Sequence, residues 1–295
     1  MKAKIIDGKA IAQQIRSELA GDVQALKAKG IVPGLGVILV GEDPASQSYV
    51  TAKEKACHDI GLFSDDNRLP ATTSQAELIA LVKQMNADPR INGILVQLPL
   101  PKGLNESEVL LTIDPDKDVD GFHPTNVGRM VVGEKAFLPC TPHGVVQMLV
   151  RSGVTIDGAH VVIVGRSNIV GKPLANMLMA KGKRANATVT VCHTRTRDIG
   201  YFTRQADIVI AAAGRPNTVT ADMIREGAVV IDVGVNRIED ATRKQGFRLV
   251  GDVDYEGCLH KAGMITPVPG GVGPMTITML LYNTVESAKR AHGLA

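Results

Sequence analysis

Lys53 and Tyr49 stand four residues apart in SQSYVTAKEKA (46–56), the spacing that puts two side chains on one face of a helix. A lysine acts as a base only while neutral, and burial or a nearby cation lowers its pKa toward that state. On a surface helix the same lysine is simply a solvated charge. The stretch GILVQLPLP (93–101) shifts the balance, because Gln97 sits where prolines end a hydrophobic strand. In open α/β sheets the carboxyl ends of strands form the ligand crevice. A third stretch, DKDVDGFHP (116–124), holds Asp120 in an acidic Gly/Pro loop. On its own that loop reads as a solvated turn.

A second kind of chemistry is written in VVIVGRSNIVGKPLANML (161–178), a strand, a glycine-bounded turn and a helix. The N-terminus of a helix suits a diphosphate. Gly165 allows the sharp turn and Gly171 allows close helix packing. Their G-x5-G spacing departs from the common G-x-G-x-x-G fingerprint, so the reading rests on the surrounding order of strands. An NAD site usually has an acid at the end of the second strand. Here that strand ends in CHTRTRD, and Thr194, Arg195, Thr196 and Arg197 precede any acid. Arg and Thr donors, with Arg166 nearby, suit a 2′-phosphate and therefore NADP. The alternative for these arginines is a solvated basic loop.

The elements that must position these residues alternate along the chain. Asp7 can cap a helix with Ile11, Ile15, Leu19, Val23 and Leu26 on one face, ending at Gly30. A buried strand is expected over 34–41, a helix from Pro44 to Ile60, and a Ser74/Glu77 capping box before Leu78. A further strand is expected over 92–101. Thr141 and Pro142 are expected as N-cap and first residue of a helix through Val150. Strands over 160–165, 187–193, 207–214 and 228–234 follow, with a helix over 173–182 and short helices before the last two strands. That series is a doubly wound nucleotide-binding pattern. A last helix from about Pro274 to Ala291 closes the chain. It is preceded by TPVPGGVGPMT (266–276), with three prolines and three glycines in eleven residues. So much restraint beside so much freedom suggests a backbone shaped for something to lie against it.

With 295 residues, two domains are expected. Aromatic residues make up 3% and tryptophan is missing, so the core must be aliphatic, as in parallel α/β sheets. A net charge of +3 is too small to argue for nucleic acid or a membrane surface. No run reaches the length of a membrane span, and the N-terminal stretch resembles neither a signal nor a transit peptide. Cys57, Cys140, Cys192 and Cys258 are far apart without CxxC, and the seven histidines show no HExxH or HxH spacing. Reduced buried thiols, a cytoplasmic location and no metal are the expectations.

Taken together, YVTAK, GILVQLPLP, DKDVDGFHP, VGRSNIVGKP, VIDVGVN and TPVPGGVGPMT, in this order and across nearly the whole chain, resemble the bifunctional methylenetetrahydrofolate dehydrogenase/methenyltetrahydrofolate cyclohydrolase family. The length leaves no room for the synthetase domain of trifunctional relatives. The resemblance implies an N-terminal α/β substrate domain over 1–140, a Rossmann-type doubly wound NADP-binding domain over 141–273, and a cleft between them. The helix over 274–295 is expected on the first domain. It implies oxidation of 5,10-methylenetetrahydrofolate with NADP+, then hydrolysis of the 5,10-methenyl cation to 10-formyltetrahydrofolate, within one-carbon metabolism.

By the same resemblance, Lys53 serves the hydrolytic step, Gln97 tunes Lys53, Tyr49 stacks on the folate ring system and Asp120 binds the pterin. Pro269, Gly270 and Gly271 are implied as substrate contacts. Gly165, Arg166, Ser167, Gly171, Thr194, Arg195 and Val235 are implied as cofactor contacts. In TPHG (141–144) the family pattern admits Lys or Arg as readily as His143, which has no assigned role. Partners are tetrahydrofolate derivatives, polyglutamylated forms among the candidates, with no nucleic acid and no membrane. A homodimer is implied, with FRLVGDVD (247–254) as an edge strand that could pair across it. A monofunctional dehydrogenase would lack the Lys53–Gln97 pair. A non-catalytic NADP sensor, or another Rossmann oxidoreductase, would leave YVTAK and DKDVDGFHP unexplained.

Overall fold

The computed structural model describes residues 2–243 and 246–294. It divides into two compact units, residues 13–140 with 277–295 and residues 1–12 with 141–276, so the division falls inside the two longest helices.

The chain opens with strand β1 (Lys4–Ile5) and helix α1 (Gly8–Lys27). Asp7 caps the helix by accepting from the Ala10 N–H at 3.0 Å, and Ile15, Leu19, Val23 and Leu26 are buried. Strand β2 (Gly34–Val40) is buried along its whole length. It is the centre of a three-stranded parallel sheet, flanked by β3 (Phe63–Leu69) and β4 (Gly93–Val96). Helix α2 (Pro44–Ile60) is capped by Asp43, with Pro44 in its first turn. The Ser74/Glu77 capping box opens α3 (Gln75–Ala87). Helices α4 (Glu106–Thr112) and α5 (Pro124–Val132) follow. Ile38, Val40, Leu78, Val82, Met85, Ile94 and Val96 form one core.

Two local expectations need correction in this unit. Strand β4 stops at Val96, although the Gln97 N–H still reaches the Ile38 carbonyl at 2.9 Å. The proline at 99 cannot donate to a ladder, so regular pairing ends early. Strand β3 was not anticipated, because FSDDNRL lacks an apolar run; it is an edge strand, paired with β2 alone.

Helix α6 (Cys140–Arg151) carries the chain back into the unit of residues 1–12, from Thr141 onward. This helix starts one residue before the expected N-cap. Thr141 is inside it, and its hydroxyl bonds that of Thr276 at 2.8 Å instead of capping. Then come β5 (His160–Val164), α7 (Gly171–Met179), β6 (Thr188–Cys192), α8 (Ile199–Thr203), β7 (Ile208–Ala211) and β8 (Val229–Asp232). A ribbon of β9 (Asn236–Glu239) and β10 (Phe247–Val250), the short α9 (Tyr255–Cys258), β11 (Met264–Ile265) and α10 (Val272–Ala291) complete the chain. The sheet is parallel, in the order β1-β11-β8-β7-β5-β6.

Residues 1–12 therefore group with this sheet rather than with 13–140. Lys4 and Ile5 pair with Met264 and Ile265, covering an edge of β11 that would otherwise be open. Strand β10 pairs antiparallel with β9 of its own chain. Residues 277–295 of α10 group with 13–140, where Ser287 Oγ donates to the carbonyls of Asn92 at 2.6 Å and Asp116 at 2.9 Å.

Candidate active site

Helix α2 and the end of β4 bring Lys53 and Gln97 together. Lys53 Nζ donates to Gln97 Oε1 at 2.9 Å, and Gln97 Nε2 donates to the Leu98 carbonyl at 2.7 Å. The second bond fixes which end of the amide faces the lysine. Lys53 is only 8% exposed. Desolvation lowers its pKa, against the charges of Asp120, Cys140 and Cys57. The carboxyl of Asp120 is raised, by desolvation first, with Lys53 and a Cys140 hydrogen bond pulling it down. Burial thus works against the charged form of each group, while their mutual attraction works for it. Tyr49, one helical turn before Lys53, is 48% exposed and so presents its ring to solvent.

The loop that carries Asp120 is anchored from two sides. Asp118 is buried and accepts from the N–H groups of Phe122 (3.2 Å) and His123 (2.9 Å) and from Asn126 Nδ2 (2.8 Å). Burial nevertheless raises its carboxyl to about 6. From α10, Asn283 Nδ2 donates to the carbonyls of Val119 (2.8 Å) and Leu138 (3.0 Å).

In the other unit, a cavity of ≈510 Å³ opens where β5, β6 and β7 end. Gly165, Arg166 and Ser167 line it, and so do His193, Thr194 and Arg215. Gly165 has φ +139°, and a Cβ there would overlap the Ala212 carbonyl. A Cβ on Gly171 would overlap the Gly165 carbonyl, so the two glycines of the G-x5-G motif bring the start of α7 down onto the turn. Ser167 Oγ accepts from the N–H groups of Val170 (3.1 Å) and Gly171 (3.4 Å).

Among the described residues the cavity wall has two arginines and no carboxylate side chain. That donor set, beside a helix N-terminus, fits a phosphorylated dinucleotide. Gly171, Arg195 and Val235 are not on this wall. Gly171 shapes the wall from behind, Arg195 donates its N–H to His193 Nδ1 at 3.1 Å, and Val235 is exposed just after β8.

The loop after β11 is braced by the first turn of α1. The Lys9 N–H donates to the Gly270 carbonyl at 3.2 Å, and a Cβ on Gly8 would overlap the Gly271 carbonyl. Gly270 has φ +104°, which disfavours any other residue. Pro269 is exposed and Gly271 is buried, and the two glycines have only backbone to present.

Two family models match this chain: the catalytic domain of tetrahydrofolate dehydrogenase/cyclohydrolase over residues 6–120, and the NAD(P)-binding domain of the same enzymes over residues 139–292. The chain belongs to the tetrahydrofolate dehydrogenase/cyclohydrolase family. It is 59% identical over 294 residues to the bifunctional protein FolD of Syntrophus aciditrophicus, covering 100% of both chains. Among solved structures, it is similar to the bifunctional FolD dehydrogenase/cyclohydrolase of Campylobacter jejuni, with TM-score 0.92, 49% identity and coverage of 98% and 99%. The Trypanosoma brucei FolD enzyme, complexed with NADP cofactor and an inhibitor, matches with TM-score 0.93, 41% identity and coverage of 99% of both chains.

As a member of this family the chain is an enzyme of tetrahydrofolate one-carbon chemistry, with a dehydrogenase and a cyclohydrolase activity and a nicotinamide-dinucleotide domain. Among the described residues no helix is long and apolar enough to cross a membrane. Sequence reasoning missed His193, Arg215 and the segment Pro216–Thr218 on the cavity wall. The signal for Arg215 and Pro216–Thr218 was present in AAAGRPNT, and that for His193 in CHTRTRD, since the turns after β7 and β6 must both lie beside the turn after β5 once those strands pair.

His143, which had no role, is buried and bonded to Gln147 at 3.2 Å. Desolvation, with help from the Arg184 charge, lowers it to about 4 and keeps it neutral.

Proposed function

We propose that Lys53 is the base of the cyclohydrolase reaction, and that the chain oxidises 5,10-methylenetetrahydrofolate with NADP+ and hydrolyses the methenyl product to 10-formyltetrahydrofolate. The observation that carries this reading is the desolvated Lys53 held by Gln97. A neutral Lys53 accepts a proton from the water that attacks the methenyl carbon. Gln97 keeps the amine aimed, and a cationic substrate would depress the lysine further. Asp120 accepts from the amino and ring N–H groups of the pterin, and Tyr49 stacks on its plane. Pro269, Gly270 and Gly271 supply a backbone surface to the substrate.

NADP+, when bound, supplies the hydride acceptor. Gly165, Ser167 and Gly171 shape its diphosphate site, Arg166, Thr194 and Arg195 serve its phosphates, and Val235 contacts it. The substrate carbon loses its hydride without help from a protein base, so these residues act by positioning. On this reading the enzyme works as a homodimer in the cytoplasm, on polyglutamylated folates as well as the parent compound.

The test follows absorbance with methylenetetrahydrofolate and NADP+ or NAD+, and in parallel the decay of methenyltetrahydrofolate alone. NADP+-linked oxidation with decay faster than in buffer is expected. Oxidation without accelerated decay would leave a monofunctional dehydrogenase and remove the role of Lys53.

A further inference from the structure

We propose that Asp252 and Asp232 act as a positioning pair that sets the wall of the NADP pocket formed by residues 213–218. Asp252 is fully buried just after β10. Its Oδ2 accepts from the N–H groups of Ala213 (2.6 Å) and Gly214 (2.8 Å). Its main-chain carbonyl accepts from the N–H groups of Thr218 (2.7 Å) and Val219 (3.2 Å). One residue thus holds both ends of the loop. Its Oδ1 accepts from Asn236 Nδ2 at 2.9 Å, which ties the loop to β9 and the segment after Val235.

Asp232, at the end of β8, fixes Asp252 in turn. Its Oδ1 accepts from the N–H groups of Asp252 (2.8 Å) and Gly234 (3.0 Å), and its Oδ2 from the Val253 N–H (2.9 Å). A Cβ on Gly251 would overlap the Asp232 carboxylate, so the approach depends on glycine there. The loop needs such an anchor, because Pro216 and Asn217 border open space on two sides. They line the ≈510 Å³ pocket and also a neighbouring cavity of ≈500 Å³ that Asp232 itself borders. The arrangement is costly. Burial first, and the nearby Asp252 charge, raise the Asp232 carboxyl to about 6 despite its N–H donors. Two carboxyls held close together out of water oppose each other's ionisation, and groups perturbed in this way cluster at functional sites.

The inference rests on the reading that this pocket takes NADP. In Asp252→Asn the amide keeps the shape but has one acceptor oxygen for three donors, so the loop loses at least one anchor. The experiment is calorimetric titration of the full chain with NADP+, with methenyltetrahydrofolate decay and Tm measured on the same preparations. We expect Asp252→Asn to weaken NADP+ binding about tenfold or more, with cyclohydrolase turnover within about twofold of the parent. Asn236→Ala, which spares the Ala213 and Gly214 bonds, should weaken it about threefold and keeps the test open if Asp252→Asn does not fold. Unchanged NADP+ affinity in the folded variants, even with a lower Tm, would overturn the inference and leave the NADP reading intact. Failure of the parent chain to bind NADP+ would overturn both.

Discussion

Lys53 Nζ donates to Gln97 Oε1 at 2.9 Å while the other end of the same amide is committed to the Leu98 carbonyl at 2.7 Å. The lysine is aimed by a group that cannot turn over without losing a bond. Lys53→Ala should therefore lower cyclohydrolase turnover by about 10²–10⁴-fold, the range for a positioned acid or base. NADP+ binding should be unchanged, because the nucleotide cavity lies in the other unit. The parent rate should rise with pH and level off once Lys53 is neutral. Burial lowers that pKa, so the inflection should lie below the ordinary lysine value of 10.5. A flat profile, or a folded Lys53→Ala that still hydrolyses at the parent rate, would remove Lys53 from the step.

Gly171 and Gly165 are in contact where a side chain on Gly171 would overlap the Gly165 carbonyl. Gly171→Ala must push the first turn of α7 away from the β5 turn. We expect the KM for NADP+ to rise about tenfold, equivalent to about 1.4 kcal/mol. Methenyltetrahydrofolate decay should keep the parent rate, because Lys53 and Gln97 belong to the other unit. Parallel measurement of the two activities in one preparation checks it.

Much of this was legible in the sequence, and the gaps have physical causes. Strands β2, β5 and β7 are buried on both faces, so GLGVILV, HVVIV and IVIA read as apolar runs. Strand β3 is polar because it is an edge, and β1 is two residues long, so neither has a period to detect. Lys53 and Gln97 could be named from their motifs, but their contact depends on how far β4 runs. Asp232 and Asp252 were passed over because AVVIDVG and FRLVGDVD both read as strands. Their importance comes from the N–H groups that strand pairing delivers to them.

Asn283 offers a separate test of the Asp120 loop. Its amide donates to the carbonyls of Val119 and Leu138, and Val119 precedes Asp120 directly. Asn283→Ala leaves buried acceptors short of a donor, which costs about 1–3 kcal/mol. Denaturant melts should show that loss, with a higher KM for methenyltetrahydrofolate. Loss of stability with an unchanged KM would confine Asn283 to the fold.

His143 gives the fold a defined response to acid. Its pKa is about 4 in the folded chain and 6.5 as a free side chain. The unfolded chain binds the proton more readily, so this stability is complete above pH 6.5 and is lost as pH falls toward 4. A gap of that size amounts to about 3 kcal/mol. Asp118 and Asp232, both raised to about 6, act in the opposite direction, because the folded state then holds their protons more tightly. The informative quantity is therefore the difference between the parent and His143→Gln, which has no titrating ring but retains an amide able to bond Gln147. Urea melts at pH 7.5 and at about pH 4.5 should show the parent losing stability relative to the variant by about 2 kcal/mol or more. Parallel losses in the two proteins would mean that His143 is not buried in its neutral form.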